Sequence, residues 1–195
     1  MKMIKRIIAL ALVLGLTFAL TACGSSNGGS LKSVEKGDVI SLGDIDWVVL
    51  EVVDGKKALI LSDKVLETRA FDASSNDWET SDIRQYLNGE FYDNTFSSSE
   101  KDKIIESDIA NTGNNTKDKV FLLSSGDAAS AKYFANNAER IALNINTGNT
   151  SWWWLRSPGF TSSHAALVWI DGYVYVDCYY VISDGGVRPA LWLNL

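Results

Sequence analysis

Two cysteines, two prolines and one histidine in 195 residues exclude several common kinds of protein. A disulfide-framed fold needs paired cysteines, and Cys23 has another use, described below, that leaves Cys178 without an intramolecular partner. A zinc site draws on Cys and His, so with one His it would have to be built mostly from carboxylates. No metal site and no cofactor are expected. Basic residues number 18 against 24 acids, with no Lys/Arg cluster, which argues against nucleic acid and against electrostatic docking on anionic lipid. No apolar run reaches the roughly 20 residues that a spanning helix needs.

What is present begins with the N-terminus. Met1 to Arg6 carries Lys2, Lys5 and Arg6 and no acid, and Ile7 to Ala19 is almost wholly apolar. A basic start followed by a short apolar stretch has the form of an export signal. It closes on Leu20-Thr21-Ala22-Cys23, small residues before a cysteine, which resembles a bacterial lipobox. In such signals the peptidase cuts before the cysteine, whose sulfur carries diacylglycerol. Residues 1–22 are therefore read as a lipoprotein signal peptide and Cys23 as the lipidation site. Residues 23–36, with Gly24-Ser25-Ser26-Asn27-Gly28-Gly29-Ser30, form a flexible tether, and residues 37–195 form one domain. The expected location is the extracytoplasmic face of a bacterial cell membrane, reached through the lipid and not by spanning. The first 22 residues hold three of the 18 basic residues and none of the 24 acids, so the remainder has a net charge of −9.

Past the tether, Val39 to Leu42 and Trp47 to Val53 have the β-branched richness of strands, and Asp54-Gly55 signals a hairpin back into Ala58 to Leu61. Thr80 or Ser81 can cap a helix that places Ile83, Tyr86 and Leu87 on one face and ends at Asn88-Gly89. Ser97-Ser98-Ser99-Glu100 fits a capping box before a short helix carrying Ile104 and Ile105. Val120 to Leu123 is expected as a buried strand, Asp127 to Phe134 as a short helix, and everything from Ser151 onward as strand and turn. Strands, then two or three helices, then strands predict an α+β domain with antiparallel sheets.

Seven Trp and seven Tyr are an unusual load for so acidic a chain, and many fall between Trp152 and Tyr180. Asp171-Gly172 reads as the turn of a hairpin whose return strand is Tyr173 to Cys178. Alternation sends Val174, Val176 and Cys178 inward and Tyr173, Tyr175 and Asp177 outward. Trp169 depends on the turn: a three-residue turn puts it with the tyrosines, a two-residue turn in the core. Trp152, Trp153, His164, Trp169, Tyr173, Tyr175, Asp177, Tyr179 and Tyr180 are the candidate ligand-binding set, because Tyr and Trp offer rigid contact area plus a hydrogen-bonding tip. Arg156 and Arg188 are assigned structural roles. Arg188, in an apolar strand, needs an acidic partner or several carbonyls, and a buried ion pair is the preferred reading.

Trp154-Leu155-Arg156-Ser157-Pro158-Gly159, Ala166-Leu167-Val168 with Asp171-Gly172, and Gly186-Val187-Arg188-Pro189-Ala190-Leu191 resemble a widespread bacterial domain of unknown function. Trp47 to Leu50, Trp78 to Arg84 with Leu87-Asn88, and Val120 to Ser124 match it too. That domain is similar to the C-type-lectin-like fold shared by formylglycine-generating enzymes and the variable proteins of diversity-generating retroelements. The resemblance implies that the first and last strands lie together and that the stretch before the Val-Arg-Pro strand, here about Ser162 to Ser183, builds a ligand surface.

The copper-dependent oxidation of the related enzymes does not carry over, since it needs a cysteine pair. A hydrolase on Ser157, His164 and Asp171 lacks a nucleophile elbow, and neither Glu-Pro-Asn nor Trp-Asn-Asp calcium-lectin motifs occur. The expectation is a membrane-anchored, non-catalytic lectin-like domain that binds a protein or glycan through its aromatic face. The alternatives are an uncharacterised enzyme on that scaffold and a structural envelope lipoprotein whose aromatics are all core.

Overall fold

The computed structural model describes residues 33–195, with the side chain of Cys178 excepted. The signal segment, Cys23, the Gly/Ser run and the inward placement of Cys178 lie outside the described residues.

The chain opens with β1 (Val39–Leu42), β2 (Ile45–Val53), β3 (Lys57–Ser62) and β4 (Glu67–Arg69). Next come α1 (Asp82–Tyr86), a π-helical turn over Leu87–Phe91, α2 (Tyr92–Thr95) and α3 (Ser98–Lys101). Three short strands, β5 (Ile104–Ile105), β6 (Ser107–Ile109) and β7 (Thr116–Asp118), lead to α4 (Ser125–Ala129) and a 3-10 turn over Asn137–Arg140. The remainder is strand: β8 (Ala142–Leu143), β9 (Thr150–Ser151), β10 (Trp153–Pro158), β11 (His164–Val168), β12 (Val174–Tyr180), β13 (Gly185–Val187) and β14 (Ala190–Asn194). Four short α-helices stand where two or three are expected from the sequence.

Two five-stranded sheets organise the α+β domain, with orders β1-β2-β3-β14-β5 and β12-β11-β10-β13-β4. The second is mixed, because β10 and β13 run parallel at Trp153↔Gly186. The last strand shares a sheet with the first but lies against β3, with Ala190 opposite Leu61. Close approach explains the Gly185-Gly186 pair. A Cβ on Gly185 would lie 2.3 Å from Trp154 Nε1, and one on Gly186 would lie 2.3 Å from the Trp152 carbonyl oxygen.

The helical segment is held by local and distant polar bonds. Ser81 caps α1 by accepting from the Arg84 amide. The helix does not stop at Asn88-Gly89. Instead Asn88 Nδ2 donates to the Arg84 and Val120 carbonyls, and its Oδ1 accepts from the Lys119 and Val120 amides. That side chain stitches the helix to the buried Val120–Leu123 stretch, and the backbone passes through a π turn into α2. The Ser97/Glu100 capping box forms, but α3 ends at Lys101 and Ile104–Ile105 is a strand pairing with β14.

Asp118 and Arg188 are buried charges with several partners each. Asp118, 1 % exposed, accepts from Arg84 Nε at 2.7 Å, Trp78 Nε1 at 2.9 Å and Thr116 Oγ1 at 2.7 Å. Arg188 is buried, yet it forms no ion pair among the described residues, against the buried ion pair expected from the sequence. Its guanidinium donates to the carbonyls of Ser62, Arg140 and Asp63 and lies 5.0 Å from the Trp153 ring centre. Carbonyls replace a carboxylate because the end of β3 and the 3-10 turn direct their backbone acceptors toward it. Burial pulls the guanidinium down to about 10, opposed by the charge of Asp63, so it stays protonated at neutral pH.

Candidate functional site

The aromatic residues are sorted by strand register. Trp154 pairs with Leu167, Leu167 with Tyr175, and Ala165 with Tyr179, so these side chains share one face of the second sheet. Trp152, two residues before Trp154, falls on the same side. Beyond Val168↔Val174, the Trp169 amide donates to the Tyr173 carbonyl and the Gly172 amide to the Trp169 carbonyl. This is a three-residue turn, with Gly172 at φ +80° closing it. It places Trp169 with the tyrosines.

The rings form a continuous chain from core to surface. Phe71 and Trp154 are buried with centroids 5.9 Å apart, Trp154 and Trp152 are 4.8 Å apart edge to face, and Trp152 reaches Trp169 at 6.3 Å and Tyr179 at 4.9 Å. Tyr173 and Tyr175 form a separate ring pair 6.5 Å apart on the same hairpin. Trp169, Tyr175 and Tyr179 stand around buried Leu167 and enclose a cleft of about 220 Å³. Among the described residues, the indole N–H groups of Trp152 and Trp169 and the hydroxyls of Tyr173, Tyr175 and Tyr179 have no hydrogen-bond partner in the protein. A cleft with an apolar floor and unsatisfied polar tips has the composition of a binding site.

Other candidates fall elsewhere. Trp153 is fully buried and donates to the Arg140 carbonyl at 3.1 Å, since alternation turns it to the opposite face beside Val168. His164 pairs with Tyr180, and their rings meet at 4.3 Å on the side away from Tyr179. Its Nδ1 bonds the Thr161 and Ser163 hydroxyls. Asp177 is exposed within a bulge, where three residues of β12 lie between the partners of Ala165 and Leu167. The bulge also turns Val176 out to 48 % exposure, against the inward placement that strict alternation predicts. Ser157 Oγ bonds Ser125, and Asp171 accepts from the Tyr173 amide, so Ser157, His164 and Asp171 each have other partners.

A larger cavity of about 520 Å³ lies where residues 76–78, 110–113 and 156–158 meet Ser124 and Gly126. Arg156 stands in its wall, 8 % exposed, with Asp127 at 2.9 Å and the Leu122 carbonyl at 2.8 Å. That arginine ties β10 to α4, consistent with a structural role. Asn111 Oδ1 and Arg156 Nε have no partner, but both are sealed from solvent and are not presented to the cavity. Among the described residues, no group of three His, Cys, Asp or Glu could hold a metal ion, and no helix is long and apolar enough to cross a membrane.

Fold and site thus define an α+β domain that carries an aromatic, cleft-bearing surface at one edge of its second sheet. The chain belongs to a family described as a domain of unknown function, DUF6273, whose model matches residues 55–195. No curated protein and no solved structure matches the chain.

Proposed function

We propose that this protein is a lipid-anchored, extracytoplasmic, non-catalytic binding protein whose lectin-like domain seats a protein or glycan ligand on Trp152, Trp169, Tyr173, Tyr175 and Tyr179. The observation that carries the reading is the cleft itself. The rings of Trp169, Tyr175 and Tyr179 stand around an apolar floor with Trp152 and Tyr173 beside them, and the polar tips of these residues have no hydrogen-bond partner among the described residues. Linked to buried Trp154, the rings of Trp152, Trp169 and Tyr179 are held in place before any ligand arrives, which lowers the ordering cost of binding. All of these residues but Trp152 come from the stretch before the Val-Arg-Pro strand, about Ser162 to Ser183, the one that the resemblance to retroelement variable proteins implies as a ligand surface. Anchoring rests on the Ala22-Cys23 junction after an export signal.

The test is a protein and glycan array probed with wild type and with a Trp169→Ala/Tyr179→Ala variant. The reading expects hits that the variant loses while its circular dichroism stays native; identical binding by the two sinks it. For the anchor, Cys23→Ser should move the protein out of the membrane fraction, and an unchanged distribution would refute lipidation there.

A further inference from the structure

Exposed apolar side chains are not spread evenly over this molecule. Of thirteen large hydrophobic residues exposed among the described ones, two, Val39 and Leu195, lie outside the stretch from Ile141 to Ile182. Charge in the same stretch is one-sided. Residues 141–184 contain no lysine and one arginine, Arg156, which is buried against Asp127. Asp171, Asp177 and Asp184 are all exposed there, and none forms an ion pair among the described residues. Two of these acids sit on the cleft's own hairpin: Asp171 in its turn beside Tyr173, and Asp177 in the β12 bulge between Tyr175 and Tyr179.

We infer that the occupant of the aromatic face is a cationic polypeptide, a protein segment presenting Lys or Arg among apolar side chains. The inference rests on the reading of that face as a binding surface and adds the chemistry of the partner. Three features favour it over a glycan. Ile170 and Val176, exposed in the turn and bulge of the same hairpin, add aliphatic area that a polyhydroxylated sugar does not use but that a protein interface does. The open faces of Trp and Tyr attract guanidinium and ammonium groups. Covering Asp171 and Asp177 removes their water, and a partner that supplies cations offsets that loss while an uncharged or anionic one does not. Acids flanking an aromatic cleft, in a stretch with no lysine and no exposed arginine, also draw a basic partner in from solution and repel acidic ones.

Titration of the full chain in neutral detergent micelles, read by tryptophan emission against empty micelles, separates the outcomes. The probes are a short lysine/leucine peptide, a glutamate/leucine peptide of equal length, and a neutral hexasaccharide. The lysine/leucine peptide should bind, weaken steeply as salt is raised, and weaken about fivefold in an Asp171→Asn/Asp177→Asn variant. The Trp169→Ala/Tyr179→Ala variant should lose it, and Asp108→Asn, an exposed acid on β6, should leave it unchanged. Binding of the acidic peptide or the sugar in preference, lost with Trp169 and Tyr179, overturns the cationic partner and leaves the face a binding surface. Binding of the basic peptide that ignores the aromatic variant, or no binding by any probe, overturns both.

Discussion

Six of the seven tryptophans divide into two groups that use the same ring in opposite ways. Trp47, Trp78, Trp153 and Trp154 are buried, and each indole N–H has a partner: the carbonyls of Leu42, Arg140 and Arg69 for Trp47, Trp153 and Trp154, and the Asp118 carboxylate for Trp78. Trp152 and Trp169 are half-buried, and neither indole N–H has a partner among the described residues. A buried donor must be satisfied or costs about 1–3 kcal/mol, whereas a donor at the surface can wait for water or a ligand. Hydrogen-bond completion, and not residue type, therefore separates the tryptophans that hold the fold from those that face outward.

The sharpest test of that division is one substitution made on both sides of it. Trp153→Ala should cost about 3–5 kcal/mol, because it empties a filled site, takes one of two donors from the Arg140 carbonyl and removes the ring beneath Arg188. Trp169→Ala should cost clearly less in the same chemical melt. Equal losses would erase the distinction. Arg188→Ala belongs with the first group at about 3 kcal/mol or more, since it takes the guanidinium from the Ser62 and Asp63 carbonyls and leaves the Arg140 carbonyl with the Trp153 indole alone. An unchanged melting temperature would contradict its role.

Smaller effects bear on how the outward group is held. Gly172→Ala forces a side chain into positive φ and drives its Cβ to 1.9 Å from the Asn137 carbonyl oxygen. A loss of about 1–3 kcal/mol is expected, with Trp169 emission shifting as the turn gives way. Asp72 supports the loop after β4. Burial pushes its carboxyl up, but the amides of Ser74, Ser75 and Asp82 outweigh that and hold it below the ordinary value of 3.8. A depressed carboxyl stabilises the fold at pH above that ordinary value and loses the contribution as pH falls through the folded value. Wild type should therefore lose melting temperature steeply below about pH 4, and Asp72→Asn should show a shallower acid slope.

What was readable in the sequence is what short-range chemistry decides. Ser97 with Glu100, Ser81 before Ile83, and Asp171-Gly172 between two strands each act within a few residues, and each forms as its pattern predicts. Three features were not readable because distant partners decide them. Asn88 looks like a helix stop, yet its amide is used by Lys119 and Val120, so the helix continues. Three consecutive tryptophans give no parity of their own, and the pairing of Trp153 with Val168 turns the middle one inward. The β12 bulge, seen only in the pairing with β11, breaks the alternation that predicts Val176 inside.

The smallest expected effect is the most informative about the outward group. Tyr173 is 57 % exposed, meets Tyr175 at 6.5 Å, and has a hydroxyl with no protein partner among the described residues. Nothing in the fold depends on its ring, so Tyr173→Ala should change stability by less than about 0.5 kcal/mol. If the cleft rim is a recognition surface, the same substitution should weaken ligand binding measurably, and Tyr173→Phe should weaken it less, because the ring remains and the hydroxyl alone is lost. A stability loss near that of Trp153→Ala would place Tyr173 in the core. Full binding by Tyr173→Ala would confine the surface to the rings around Leu167, Trp169, Tyr175 and Tyr179.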